Sequence, residues 1–378
     1  MTERRRVRIG DLCSRVTSGG TPSTKHAEYY GGSIPWLRTQ EVDFNRITDT
    51  EVKITEEGLK NSSAKWIPTN AVIVAMYGAT AGRIAIAKVP LTTNQACCNL
   101  IVDPQKADYR YVYYALMHNY VELSGRAKGS AQTNLNAGLV KEFEIPDFGL
   151  PTQKRIADIL SAYDDLIENN RRRMEILEES ARLIFKERFG EVEATGVLAD
   201  ICEEIRRAVK PSEVADDTPY IGLEHMPRRS ISLCQWEGAG KVTSTKHGFN
   251  EGEILFGKIR PYFHKVGLAF VDGVASSDAI VIRPLKAELR NYVLLTVSSD
   301  DFVAAASQGM KEGSKMPRAD WGLLLKYPVP IPTEKALANF NQLIEPIMQQ
   351  LKALCFTNRK LAEARDVFLP KLMNEKKS

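Results

Sequence analysis

The chain lacks every compact catalytic signature that 378 residues could carry. It has no G-x-x-x-x-G-K-[ST] phosphate loop, since Gly238-Ala-Gly-Lys241 has the wrong spacing. It has no H-E-x-x-H, and its five histidines (His26, His118, His225, His247, His264) are too scattered to suggest a metal-ligand set. It has no G-x-S-x-G nucleophile elbow, no glycine-rich turn for S-adenosylmethionine, and no Asn/Asp-Pro-Pro-Tyr/Phe of an amino-methyltransferase. Two kinase-like fragments, Ala85-Ile-Ala-Lys88 and Asp147-Phe-Gly149, have no H-R-D between them to supply a base. A lone Glu51-Val-Lys53 does not make a nuclease. These gaps point away from catalysis and cofactors and toward recognition or scaffolding.

Other shortages narrow the setting. The six cysteines (13, 97, 98, 202, 234, 355) include no C-x-x-C, so free thiols of a reducing compartment are expected. The longest apolar run, Ala71–Met76, falls far short of the ~20 residues of a membrane helix. The charged start Met1-Thr-Glu-Arg-Arg-Arg6 has no apolar segment behind it, so no signal peptide is expected and the reading is cytoplasmic. A net charge of +4 is too small to indicate a nucleic-acid binder by itself, so local clusters decide.

What the chain does have is a duplication. Gly129, Ser130, Gly138, Leu139 and Pro146 return as Gly313, Ser314, Gly322, Leu323 and Pro330, an offset of 184. Short β-rich runs bounded by Gly, Pro, Asn and Asp fill each copy. The first has Ala71–Met76, Arg83–Lys88 and Ala96–Val102; the second has Glu253–Phe256, Val266–Val271 and Ala279–Arg283. A helical stretch follows in each, Tyr109–Ser124 and Leu289–Ser307. The pattern predicts an α+β protein with two mixed domains in tandem, residues 1–150 and 191–331. Each is followed by a long helix, at 151–190 and 332–378, the latter with a frayed tail.

The helices carry a seam of period 3.5. In the first it passes through Ile156, Leu160, Tyr163, Ile167, Asn170, Met174 and Leu177; in the second, from Phe340 through Ile344, Ile347, Leu351, Leu354, Asn358 and Leu361. Such a seam needs a partner helix, and an antiparallel coiled coil between the two, related by a pseudo-two-fold, is expected. At ~1.5 Å per residue each helix would span roughly 54 Å, enough to hold two domains apart. The seam residues Asn170 and Asn358 either fix register or sit at a wet edge. Pro346 is expected to kink or restart the second helix.

The loops between strands are rich in hydrogen-bonding and basic groups. The candidate contacts in the first domain are Arg38, Thr39, Gln40, Thr80, Arg83, Asn94, Gln95, Lys128 and Gln132. In the second they are Lys258, Arg260, Tyr262, Lys265, Ser277, Lys311, Lys315 and Arg318. Arg and Lys suit guanine edges and phosphates, Asn and Gln suit adenine. Nearby glycines let backbone amides approach phosphate.

With these residues in view the chain resembles the specificity (S) subunits of type I restriction–modification systems. The matching pieces are Ile34-Pro-Trp-Leu-Arg38, Gly78-Ala-Thr-Ala-Gly-Arg-Ile-Ala85, Thr93-Asn-Gln95, Gly129-Ser-Ala-Gln132 and Leu150-Pro-Thr-Gln-Lys-Arg-Ile-Ala-Asp-Ile-Leu160. Weaker forms recur as Thr218-Pro-Tyr-Ile221, Ser276-Ser-Asp278 and Ile331-Pro-Thr-Glu-Lys335. The resemblance implies two target recognition domains, each reading half of a split, asymmetric site in double-stranded DNA. It also implies helices that act as a ruler and dock two modification (methyltransferase) subunits, with restriction (translocase/nuclease) subunits joining them. In the second domain Gly257-Lys-Ile-Arg-Pro-Tyr262 replaces the family's Gly-x-Thr-x-Gly turn. A self-contained DNA-modifying or cutting enzyme and a protein-only coiled-coil scaffold are the alternatives.

Overall fold

The computed structural model describes residues 5–128, 134–308 and 316–374, leaving out the side chains of Ala127 and Lys128. The Gly-Ser loops of both repeats, with Gln132, Lys311 and Lys315, and the last four residues of the tail lie outside the described residues, as does the side chain of Lys128. The chain divides into two compact units. One comprises Met1–Asp165 with Ala362–Ser378, the other Leu166–Leu361.

The first unit is built on a five-stranded sheet in the order Cys13–Ser18, Cys97–Val102, Val72–Ala75, Ile84–Ala87, Asn45–Ile47. Its central strand is apolar at every position because both faces are covered. Val72 and Val74 face a core with Tyr111, Leu116 and Phe143, while Ile73 and Ala75 face a second core with Leu37, Val42 and Leu91. The second core is closed by a four-stranded sheet of Lys53–Ile54, Tyr30–Leu37, Leu91–Thr93 and Trp66–Ile67. Thr92 and Thr93 are fully buried strand residues, and the Thr92 hydroxyl donates to the Pro35 carbonyl at 2.9 Å.

The second unit repeats the plan. Its main sheet runs Cys202–Ile205, Ala279–Pro284, Ile254–Gly257, Val266–Ala269, Ser232–Leu233. Ile254 and Phe256 face one core, Leu255 the other. A second five-stranded sheet runs Ala208–Val209, Lys246–Phe249, Gly273–Ala275, Pro219–Ile221, Glu237–Gly238. One tie recurs in both units. The Tyr111 hydroxyl donates to the Pro146 carbonyl at 2.6 Å, and Tyr292 does the same to Pro330 at 2.5 Å.

The expected single helices after the sheets are each broken in two. Tyr109–His118 and Tyr120–Lys128 part at Asn119, whose amide donates to the Ala115 carbonyl at 2.7 Å and caps the first piece. Arg290–Val297 and Asp300–Gln308 part at Ser298-Ser299, where the Ser299 hydroxyl accepts from the Phe302 N–H at 3.2 Å.

The long helices run Leu150–Phe189 and Glu334–Met373. The second is continuous through Pro346, against expectation. A proline inside a helix costs about 3 kcal/mol, and burial of Ile344, Met348 and Leu351 on the same stretch outweighs that. The two helices pair antiparallel within each unit. In the second unit Asn170 meets Asn358 and Phe185 and Phe189 meet Phe340; in the first, Tyr163 stacks on Phe368 and Asp164 pairs with Arg365. Ile156, Leu160 and Ile167 are buried, as are Ile344, Leu351 and Leu354; Tyr163, Met174, Leu177, Ile347 and Leu361 are half-buried. The Asn170 amide donates to the Asn358 carbonyl oxygen at 2.9 Å with Asn170 7% exposed, so this pair lies in the packed seam.

The cysteine expectation needs one correction. Cys234 and Cys355 form a disulfide, with Cα atoms 5.4 Å apart. Their pairing across 121 residues is a tertiary contact that spacing along the chain does not reveal. Cys13, Cys97, Cys98 and Cys202 are free and buried, and burial pushes the Cys13 thiol up to about 11. Among the described residues no helix is long and apolar enough to cross a membrane.

Candidate nucleic-acid interface

In the first unit, four segments meet at the ends of the strands Tyr30–Leu37, Val72–Ala75 and Leu91–Thr93. The turn after Val72–Ala75 closes with the Gly82 N–H donating to the Ala75 carbonyl at 2.8 Å. The Met76 N–H reaches the Ala96 carbonyl at 2.8 Å, and the Asn94 N–H reaches Leu37 at 2.9 Å. The Leu135 N–H reaches the Met76 carbonyl at 3.0 Å. The Thr80 hydroxyl donates to the Thr39 carbonyl at 3.0 Å, linking the turn to the short 3-10 helix Thr39–Glu41.

The second unit assembles the same four segments. The Gly257 N–H donates to Lys265 at 2.8 Å, Lys258 to Asp278 at 3.0 Å, Ser276 to Ile221 at 2.9 Å, and Arg260 to Pro317 at 2.8 Å. In the first unit the Ala75 N–H also donates to the Arg83 carbonyl at 2.9 Å; matching this bond with that of Gly257 to Lys265 aligns Ala75 with Gly257 and Arg83 with Lys265, so the turns between them have equal length. Gly78 (φ 76°) then corresponds to Arg260 (φ 49°), and Gly82 (φ 85°) to His264 (φ 53°). Both turns carry a 3-10 helix, Gly78–Thr80 and Pro261–Phe263. The turn thus keeps its length and its two left-handed positions where the sequence departs from Gly-x-Thr-x-Gly, while its 3-10 helix starts one residue later and the His264 N–H donates to the Pro261 carbonyl at 2.7 Å.

Of the sequence-predicted residues, Gln40, Gln95, Tyr262, Ser277 and Arg318 are exposed at these ends, and Arg38, Thr39, Thr80, Arg83, Asn94, Lys258, Arg260 and Lys265 are half-buried there. Many of the cations are held by local partners. Arg38 pairs with Glu51 at 2.8 Å and Glu41 at 3.7 Å, and Arg83 with Asp43 at 2.8 Å. Lys258 donates to the Ser277 carbonyl at 2.5 Å, Lys265 to the Leu223 carbonyl, and Arg318 reaches Asp278 at 3.4 Å. Burial, with Arg228 beside it, depresses the Lys265 ammonium below the ordinary lysine value, against the pull of Glu224. The pairs of Arg38 with Glu51 and of Arg83 with Asp43 have exposed carboxylates and are weak, so a phosphate can replace Glu51 or Asp43 without leaving a buried charge. The acidic partners escaped sequence reasoning because Asp43 is remote from Arg83 in the chain. Tyr77, 39% exposed beside Gly78, was also not singled out.

One cluster resembles a cation site. Glu224, His225 and Glu237 place ligand atoms within 4.8 Å of one another. The Gly222 N–H donates to His225 Nδ1 at 3.0 Å, so in the neutral ring Nε2 carries the proton and neither nitrogen has a lone pair to offer.

Residues 2–179 match the family described as the type I restriction modification DNA specificity domain. Over 97% of its length the chain is 28% identical to the type I restriction enzyme MjaIX specificity subunit of Methanocaldococcus jannaschii, covering 91% of that protein. Residues 2–179 belong to the type I restriction–modification specificity family, and the whole chain is similar to its specificity subunits. It is also 29% identical over 39% of its length to the EcoR124I/EcoR124II specificity subunit of Escherichia coli, covering 38% of that protein. Its fold matches the crystal structure of the type I S subunit from M. genitalium with a TM-score of 0.57, at 16% identity, covering all of this chain and 98% of that one.

Proposed function

We propose that this specificity subunit reads a bipartite, asymmetric site in double-stranded DNA and performs no chemistry of its own. Residues 1–150 and 191–331 act as the two target recognition domains, and residues 151–190 and 332–378 as the spacer helices. The observation that carries this reading is the recurrence of one four-segment loop cluster in both units on unlike side chains. Turns of equal length with Arg38, Gln40, Gln95 and Arg83 around one, and Arg260, Tyr262, Ser277 and Arg318 around the other, suit two readers of different half-sites. Base edges discriminate through such groups, while phosphate contacts set orientation.

The long helices are assigned to docking two modification subunits and setting the distance between half-sites, with restriction subunits completing the assembly. The test uses the complex reconstituted with its modification subunits. Arg260→Ala is expected to weaken binding of the cognate site by about 1–3 kcal/mol if it reads a base edge. A phosphate contact would weaken all sequences alike and lower the salt slope. Unchanged modification of the cognate site would remove Arg260 from the interface. Removing one heptad from the first helix is expected to change the permitted gap; an unaltered site would refute the ruler role.

A further inference from the structure

The Lys258–His264 turn of the second unit is held in a form that non-glycine residues avoid. Arg260 and His264, at its two ends, both adopt left-handed backbone angles, at φ 49° and 53°. Something must hold them there. His264 is 5% exposed, and its Nε2 lies 2.8 Å from the Ser298 carbonyl oxygen. A carbonyl only accepts, so Nε2 carries the proton. Nδ1 faces Asp300, 3.5 Å away, at the start of the helix Asp300–Gln308. The His264 carbonyl in turn accepts from the Arg229 N–H at 2.9 Å, and Arg229 pairs with Asp300 at 2.9 Å. The ring therefore ties the turn to the break between two helices, while Tyr262, two residues away, stays 51% exposed. In the first unit Gly82 occupies the same place. A Cβ there would stand 3.0 Å from Ser124 Cβ, so the turn rests directly on the helix and needs no tether.

We infer that His264 is a positioning residue for recognition: its ring is tied through Nε2–H to Ser298 and its carbonyl is held by Arg229, which pairs with Asp300, so that the turn presents Arg260 and Tyr262 to one half-site. This rests on the reading that the turn meets DNA, and the test separates the two. In the full reconstituted complex, modification rates are compared between the cognate site and sites carrying single base changes in either half. His264→Gly keeps a residue suited to the left-handed angle and removes the tether. It is expected to assemble and to lose roughly tenfold to a hundredfold of discrimination in one half-site only. His264→Gln, which keeps an N–H donor, is expected to restore part of it. Tyr262→Ala and Arg260→Ala serve as the second arm.

If those two change discrimination while His264→Gly leaves it intact, the positioning role falls and the DNA-reading turn stands. If Tyr262→Ala and Arg260→Ala leave both half-sites untouched, the reading of the turn itself falls. Equal loss of rate on every sequence by His264→Gly would indicate general damage and overturn the inference. Should His264→Gly fail to assemble, His264→Gln decides: retained discrimination supports the tether, and loss matching that of Arg260→Ala overturns it.

Discussion

Gly78 and Gly82 form in the first unit the turn that Arg260 and His264 form in the second. The first solution uses residues free to take left-handed angles and packs a helix against the bare backbone. The second places side chains on the strained positions, gaining a guanidinium at the reading end and a buried ring as anchor. A second contrast lies where the helices pair. The first unit buries a polar cluster: the Tyr114 hydroxyl donates to Asp164 at 2.5 Å, and Asp164 pairs with Arg365 at 2.7 Å. At the equivalent places the second unit has Leu295, Met348 and Ala181, all in its apolar core. The backbone plan was kept through duplication while the means of stabilising it changed.

That contrast can be broken first at the polar cluster. Arg365→Ala strands the Asp164 carboxylate at 14% side-chain exposure and is expected to destabilise by about 3–5 kcal/mol in denaturant unfolding. Combining Tyr114→Leu, Asp164→Met and Arg365→Ala copies the second unit and is expected to cost less than the single change. A larger loss in the triple variant would mean that the two packings are not interchangeable.

The turns give the next effect. Gly82→Ala combines a left-handed penalty of about 1–2 kcal/mol with a Cβ pressed against Ser124. It is expected to cost roughly 2–3 kcal/mol, well above His264→Gly, where relief of strain offsets the lost hydrogen bond. Comparable unfolding midpoints for the two variants would contradict the difference drawn between them. A third test addresses the seam: Asn358→Ala leaves the buried Asn170 amide without its partner, and a loss of about 1–2 kcal/mol is expected.

The smallest effect is in pH. Burial holds the His264 imidazole below its ordinary value; the Ser298 carbonyl and Asp300 oppose this, and Arg229 and Arg182 reinforce it. Because the folded value is depressed, the unfolded chain takes up the proton first. Stability is therefore lost as pH falls below about 6.5. His118 in the first unit is depressed by burial as well, so the informative quantity is the difference between wild type and His264→Gly. The wild type should lose more stability than the variant between neutral pH and mild acid; parallel curves would show that the ring does not titrate against the fold.

Much of the architecture can be read from pattern. The unbroken apolar runs at Val72–Ala75 and Ile254–Gly257 reveal strands buried on both faces, and the 3.5-residue seam reveals paired helices. The features that pattern misses depend on contacts distant in sequence. Trp66–Ile67 and Glu237–Gly238 are too short to show periodicity and exist only because a neighbour pairs with them. Pro346 is tolerated because the rest of its helix is buried. In the loop clusters, glycine and basic residues mark exposed turns. The pairing of Arg83 with Asp43 and the seat of His264 under Ser298 need the folded chain. The equal length of the two turns was available from the sequence, by counting from the strand ends, but the glycine signature drew attention to one turn only.

The central claim is that the two units are separate readers built on one frame. The most direct measurement is a genome-wide map of modified sites made with the reconstituted complex carrying a replaced Met76–Gly82 turn or a replaced Lys258–His264 turn. Each replacement should alter one half of the modified sequence and leave the other half unchanged, with the altered half differing between the two. A change in both halves from either replacement, or in neither, would contradict the account.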